Sequence, residues 1–365
     1  MGSEDHPTSW WRALPETGRV RCQLCPRACT LTPGQRGFCF VRKATSAGMV
    51  LDTHGRSSGF CIDPIEKKPL YHFLPGTPVL SFGTAGCNLG CRFCQNWDLS
   101  RARQADRAQS VASPTAIART AAQHGCASVA FTYNEPIVFA EYAIDTAHAC
   151  HEQGVHTVAV TAGYVNQGPR EDFFAVIDAA NVDLKAFSED FYRRLCDAEL
   201  GPVLDTLRYL AQETDVLVEV TTLLVPGEND TDAELDALSA FVAGEMGPEV
   251  PLHFSAFHPA HKLTDKSRTP HATLTRARRI ARANECKHVY LGNVYDPEAS
   301  STYCASCGRM VIERAGYQLG AWSLEGCCCA HCGTSLHGRF AEGPGTWGSR
   351  RQPVTLRPPV RTPRG

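Results

Sequence analysis

The stretch SFGTAGCNLGCRFCQNW, residues 81–97, sets Cys87, Cys91 and Cys94 on one short loop at x3 and x2 spacing, with the aromatic Phe93 directly before the last cysteine. The loop follows VLSF (79–82), a run that reads as a strand. Further strand-like segments recur at SVAFTY (128–133), HTVAVTA (156–162), NVDLKAF (181–187), VLVEVTTLLV (216–225), PLHFSAF (251–257) and HVYLGNV (288–294). Helical patterns fill the gaps. Ser113-Pro114 opens one as N-cap and first-turn proline and Gly125 closes it, while Ile137 to Gln153, Asp232 to Glu245 and Leu274 to Asn284 carry three more. Strands alternating with helices imply parallel βα units, hence a doubly wound sheet or a full or partial (β/α) barrel. In either, function sits at the carboxyl ends of the strands.

Working outward, 365 residues with 43% apolar content fill a sizeable core, which excludes disorder of the whole. A net charge of -2 gives no global attraction to nucleic acid or anionic lipid, and neither partner is expected. No run of about twenty apolar residues suits a membrane span, and MGSEDHPTSWWRALPE lacks the order of a signal peptide. A cytoplasmic protein is expected. In that compartment disulfides do not persist, so 18 cysteines need another occupation. Five of them, Cys61, Cys126, Cys150, Cys196 and Cys286, stand singly and read as small buried hydrophobes. The rest fall into three groups.

Three thiolates on the 87–94 loop can take three corners of one cubane iron–sulfur cluster and leave the fourth iron without a protein ligand, unlike electron-transfer clusters. A bare iron can bind a substrate group, and the amino and carboxylate groups of S-adenosylmethionine (SAM) suit it. A zinc loop with a distant fourth ligand is the alternative, although zinc sites usually pair two CxxC knuckles. No nucleophile–base pairing of the hydrolase kind stands out.

Cys304-x2-Cys307 and Cys329-x2-Cys332 form two such knuckles, CASCG and CAHCG, each followed by glycine: a zinc ribbon by spacing. Cys327 and Cys328 leave the register open, and the mirrored knuckles favour Cys329 and Cys332. Rubredoxin-like iron is the alternative metal. Cys22, Cys25, Cys29 and Cys39 supply four thiolates over eighteen residues, for a structural zinc or a second iron–sulfur cluster, with zinc slightly favoured. The organisation expected is a tail at 1–18, a Cys-rich module at 19–77, a barrel at 78–298, a zinc-ribbon-like module at 299–341 and a basic tail at 342–365, whose last residues are dense in arginine and proline.

The CxxxCxxC loop with its penultimate aromatic resembles the radical SAM superfamily. IEKKPLYHF before it, CQNW after it, then TYNEP, VDLKAF, LLVPGEND and HFSAFHP are similar to the subgroup of pyruvate formate-lyase activating enzymes, and specifically to AmmeMemoRadiSam system radical SAM enzymes. The resemblance implies a partial (β/α)6 barrel in which Cys87, Cys91 and Cys94 hold a [4Fe-4S] cluster. It further implies reductive cleavage of SAM to a 5'-deoxyadenosyl radical that abstracts hydrogen from a substrate the resemblance does not name, with a protein among the candidates, and electrons from a flavodoxin- or ferredoxin-type donor. Asn134 and Glu135 in TYNEP stand where the family meets the SAM amine, commonly with Gly-Gly-Glu. Asp183 and Lys185, on one face of a strand, resemble the Asp-x-Lys motif whose lysine pairs with the SAM carboxylate. By itself that spacing also fits an ion pair at a strand end. His253 matches the histidine placed near the SAM ribose. Asn229 and Asp230 match a PGxND element, loop-forming first. The reading from a different class is a non-catalytic iron–sulfur or zinc scaffold of a multiprotein system.

Overall fold

The computed structural model describes residues 6–102 and 110–356. Its centre is one sheet in the order Gln352–Val354, Phe60–Pro64, Pro78–Phe82, Ser128–Phe131, His156–Thr161, Ala179–Asp183, Leu217–Leu224, Leu252–Ala256, Val289–Gly292. From Pro78–Phe82 onward the seven strands are parallel neighbours in chain order. A doubly wound sheet reverses its strand order partway. This one does not, and its first and last parallel strands are unpaired with each other, so it is an incomplete barrel. Six strand–helix units precede the final strand, their helices at Pro114–Gln123, Ala140–His151, Gln167–Phe174, Gly201–Glu213, Asp232–Phe241 and His271–Ala283.

The local signals act as chemistry requires. Ser113 caps the first helix by accepting from the Ala116 N–H at 3.2 Å, and Thr231 does the same for the fifth from Glu234 at 3.3 Å. Strands such as Ser128–Phe131 and Leu252–Ala256 are buried at every position, as parallel strands covered on both faces must be. The helices at Gln167–Phe174 and Gly201–Glu213 lacked a signal strong enough to be read. The first buries only Pro169, Phe173 and Phe174, and the second begins at a glycine without a side-chain cap.

Three expectations about the periphery are corrected. Residues 6–18, read as a tail, are structured: His6–Pro7 pairs with Gly48–Leu51, and Trp11–Leu14 pairs with Arg19–Cys22. The reason is packing, for Trp11 lies over Gly48, where any Cβ would collide with the indole. Residues 60–77, assigned to the Cys-rich module, begin with a strand of the main sheet. Within the stretch read as a basic tail, Gln352–Val354 adds an edge strand to that sheet. Residues 1–5 and the arginine-rich 357–365 lie outside the described residues. The cysteine module at 19–51 shares its hydrophobic core with the barrel, whereas Cys304, Val311, Ile312, Leu324, Cys329 and Leu336 form a separate small core around the strands Met310–Ala315 and Gln318–Trp322. Among the described residues no helix is long and apolar enough to cross a membrane.

Candidate active site

A cavity of about 300 Å³ opens at the carboxyl ends of the parallel strands. Cys87, Cys91 and Cys94 line it, together with Asn134, Glu135, Asp183 and Lys185. These residues span about a hundred positions of sequence, and barrel closure brings them to one rim.

The cysteine loop is held from three sides. Asn134 accepts from the Thr84 N–H at 2.9 Å through Oδ1, while its Nδ2 donates to Ala85 O at 3.1 Å and Gly86 O at 2.8 Å. Its side chain is thus committed to the loop. Gly83 permits the approach, because a Cβ there would collide with Thr132 O and the Asn134 side chain. From the opposite side, Gly90 and Arg92 donate backbone N–H groups to Cys196 O at 2.7 Å and Leu195 O at 2.8 Å. The chain turns away at Asp197, in the left-handed region at φ 50°. Asn96 of CQNW donates to Tyr133 O at 2.8 Å. Tyr133 itself, at φ 71°, anchors its hydroxyl on Asp63 Oδ2 at 2.9 Å, where Lys68 of IEKKP also binds at 2.8 Å.

Burial pushes the Cys87 and Cys94 thiols above their ordinary value. Cys91 is pulled the other way, first by a hydrogen bond from Cys196, with Lys185 helping. Cys196, read from sequence as a small buried hydrophobe, is fully buried as expected, and lies behind the cavity wall against Cys91. A singly spaced cysteine gives no signal of that, since only the fold brings it to Cys91.

Lys185 Nζ lies 2.8 Å from Asp183 Oδ2. Burial opposes its charge, but Asp183, Cys91 and Cys196 outweigh it and hold the ammonium firmly protonated. Asn229 of PGEND supports this rim by donating to Lys185 O at 2.7 Å, while its Oδ1 accepts from Val225 at 2.7 Å: a loop-forming residue. Glu135 accepts from Thr161 Oγ1 at 2.5 Å and the Ala162 N–H at 2.7 Å, and burial raises its pKa. It ties together the ends of two neighbouring strands.

His253 is not brought into this group. It stands two residues before Ser255, which does line the cavity, and so one layer deeper on the same strand face. There its Nε2 meets Glu219 Oε2 at 2.6 Å, walled by Tyr71 and Tyr290. The same alternation puts Glu219 beneath Thr221, whose buried hydroxyl lines the cavity without a partner. A buried hydroxyl facing a void in this way fits a polar ligand.

At the C-terminal module, the sulfurs of Cys304, Cys307, Cys329 and Cys332 all lie within 4.8 Å of one another, with Cys304–Cys332 at 3.6 Å and Cys307–Cys329 at 3.8 Å. Cys327 and Cys328 stand outside this quartet.

An incomplete parallel barrel with three loop cysteines and a lysine–aspartate pair at its carboxyl rim defines a class, and the chain belongs to it: the radical SAM superfamily, whose profile matches residues 82–238. The protein is a radical SAM enzyme, and membership implies a [4Fe-4S] cluster and SAM. Among its relatives is "Uncharacterized protein MJ0808" of Methanocaldococcus jannaschii, 41% identical over 299 residues, covering 82% of this chain and 89% of that protein. Pyruvate formate-lyase 1-activating enzyme of Escherichia coli is 25% identical over 189 residues, covering 50% of this chain and 75% of its own. A solved radical SAM methyltransferase from Sphaerobacter thermophilus superposes with a TM-score of 0.47 at 17% identity, covering 82% of this chain and 79% of that one.

Proposed function

We propose that the protein cleaves SAM reductively at a cluster held by Cys87, Cys91 and Cys94 and abstracts hydrogen from a protein substrate, as a member of the AmmeMemoRadiSam group. The observation that carries this is that all three cysteines and the Asp183–Lys185 pair line one cavity. When bound, the cluster and SAM supply one electron and a sulfonium whose cleavage yields the 5'-deoxyadenosyl radical.

The chain's own residues do the positioning. Three thiolates leave one cluster corner for the amino and carboxylate groups of SAM. Lys185, kept charged by Asp183, would offer a point charge to the SAM carboxylate. Asn134 fixes the backbone of residues 84–86, and so the direction from which the cysteines approach. Glu135 holds the floor at Ala162, and Thr221 offers a free hydroxyl. His253 supports this layer from below through Glu219.

A protein substrate is supported by exposed aromatics close in the chain to cavity-lining residues: Trp97, next to Asn96, is 49% exposed and stacks on His261, and Tyr295, two residues beyond Asn293, is 78% exposed. Exposed aromatics of this kind suit a macromolecular partner. The relatives named as activating enzymes for pyruvate formate-lyase and benzylsuccinate synthase fit the same reading. A ferredoxin- or flavodoxin-type donor would supply electrons. The quartet at Cys304, Cys307, Cys329 and Cys332 suits a structural zinc, since a metal–sulfur length of 2.3 Å gives tetrahedral edges of ~3.8 Å. The barrel at 78–298 and the ribbon at 299–341 are then the catalytic and stapled units.

The test is anaerobic reconstitution, reduction with dithionite and assay of SAM for conversion to 5'-deoxyadenosine. Conversion is expected, and serine at Cys87, Cys91 and Cys94 abolishes it. Equal turnover in the triple variant would end the proposal.

A further inference from the structure

We infer that Cys22, Cys25, Cys29 and Cys39 hold a second iron–sulfur cluster, placed to pass single electrons to the cluster of the active cavity. The first observation is spacing. The chain carries two cysteine quartets, and they differ in geometry. The C-terminal four gather to within 4.8 Å, the contact distance of ligands around one ion. Among the described residues the N-terminal four form no such group, and neither do Cys87, Cys91 and Cys94. Instead the N-terminal sulfurs surround a cavity with Leu24, Met49 and Val138 in its wall. Gly37 is in that wall too, and a Cβ there would stand 3.7 Å from the sulfurs of both Cys29 and Cys39. A cubane offers each thiolate its own iron and so holds ligand sulfurs apart around a volume, whereas a single ion draws all four into contact. Cys22, Cys25 and Cys39 are 7%, 8% and 8% exposed, so the volume is shielded from water.

The second observation is placement. The backbone carbonyl of Cys39 packs so closely on Gly86 that any Cβ at residue 86 would overlap it. Arg27, on the cavity wall, donates to the backbone carbonyls of Asn88 and Asp197. Asn88 belongs to that wall as well, while its chain neighbours Cys87 and Leu89 line the active cavity. The two sites are thus one residue apart along the chain. Redox-inert zinc would gain nothing from that adjacency.

In the relay, a reduced ferredoxin loses one electron to the N-terminal cluster. The group held by Cys22, Cys25, Cys29 and Cys39 would pass the same electron to the one held by Cys87, Cys91 and Cys94 and return to its oxidised state, with no atom transferred. The relay rests on the function proposed above, but the cluster assignment does not.

The test uses the full chain isolated anaerobically, with iron, sulfide and zinc analysis and low-temperature EPR. We expect about eight irons and eight sulfides with about one zinc per chain. The variant with serine at Cys87, Cys91 and Cys94 keeps about four irons and an EPR signal that SAM does not alter. About two zincs per chain, with all iron lost from that variant, would overturn the assignment. The same iron content in wild type and variant, with neither responding to SAM, would support the N-terminal cluster while sinking the central one. For the relay, Cys29→Ser is expected to lower 5'-deoxyadenosine formation driven by reduced ferredoxin at least about tenfold more than that driven by dithionite. Unchanged ferredoxin-driven turnover would overturn it.

Discussion

Arg42 donates from Nη1 to Glu141 Oε1 at 3.0 Å, with side-chain exposures of 1% and 9% for the two partners. The pair joins the cysteine module to the second barrel helix, and Glu141 also accepts from the Ser9 N–H at 3.0 Å. Glu141→Ala would strand a buried guanidinium and is expected to cost about 3–5 kcal/mol. Replacing both partners with apolar residues of similar volume recovers most of that loss. Urea unfolding of the single and double variants measures it.

Lys185→Met removes the charge opposite Asp183 while keeping the stem. Losing one charge-assisted contact of about 1.5–3 kcal/mol lowers kcat/KM for SAM by about ten- to a hundredfold. The effect belongs in KM if Lys185 acts in binding, with iron content unchanged. Steady-state kinetics and iron analysis on the same sample separate the two.

Asn134→Ala cuts the hydrogen bonds that hold residues 84–86. The expected result is a barrel with unaltered circular dichroism but reduced iron after reconstitution. An unchanged iron content would show that the loop holds its shape without this clamp.

Glu66 predicts a pH dependence of stability. Burial pushes its carboxyl up to about 7, against the pull of Arg314 and with Glu219 adding to the rise. Unfolded, it ionises near its ordinary 4.5. Between those values the folded chain keeps a proton that the unfolded chain has lost, so stability is full below 4.5 and declines as pH rises through 7, by on the order of 3 kcal/mol. Glu66→Gln cannot ionise, and its stability relative to wild type is expected to increase from pH 5 to pH 8. Urea midpoints at the two pH values decide it.

Removing the zinc proposed for the Cys304, Cys307, Cys329 and Cys332 quartet should loosen more than the ribbon. Arg314, on a ribbon strand and fully buried, reaches the barrel to donate to Tyr71 O at 2.7 Å and stacks 4.5 Å from the Tyr71 ring centroid. Chelation or Cys304→Ser is expected to expose residues 302–340 to limited proteolysis and to lower the melting temperature, with the ribbon lost before the barrel. Mass spectrometry of the early fragments reads the order.

By itself the sequence determined the alternation of strands and helices and the three cysteine groups, whereas the strand carrying Asp183 ends there and Lys185 lies just beyond it. The alternation and the groups are matters of spacing within a few residues: a thiolate loop, a capped helix or a period-two strand carries its own chemistry locally. Tertiary structure alone decided that Asn134 spends its amide on the cysteine loop, that Cys196 reaches Cys91 and that His253 lies a layer below the cavity against Glu219. It also decided that residues 6–18 pair into small sheets and that Arg314 plugs a distant barrel. Those contacts join positions far apart in the chain, where no periodicity operates. Which partner a buried polar group finds depends on how the barrel strands stagger and on which loops close over them.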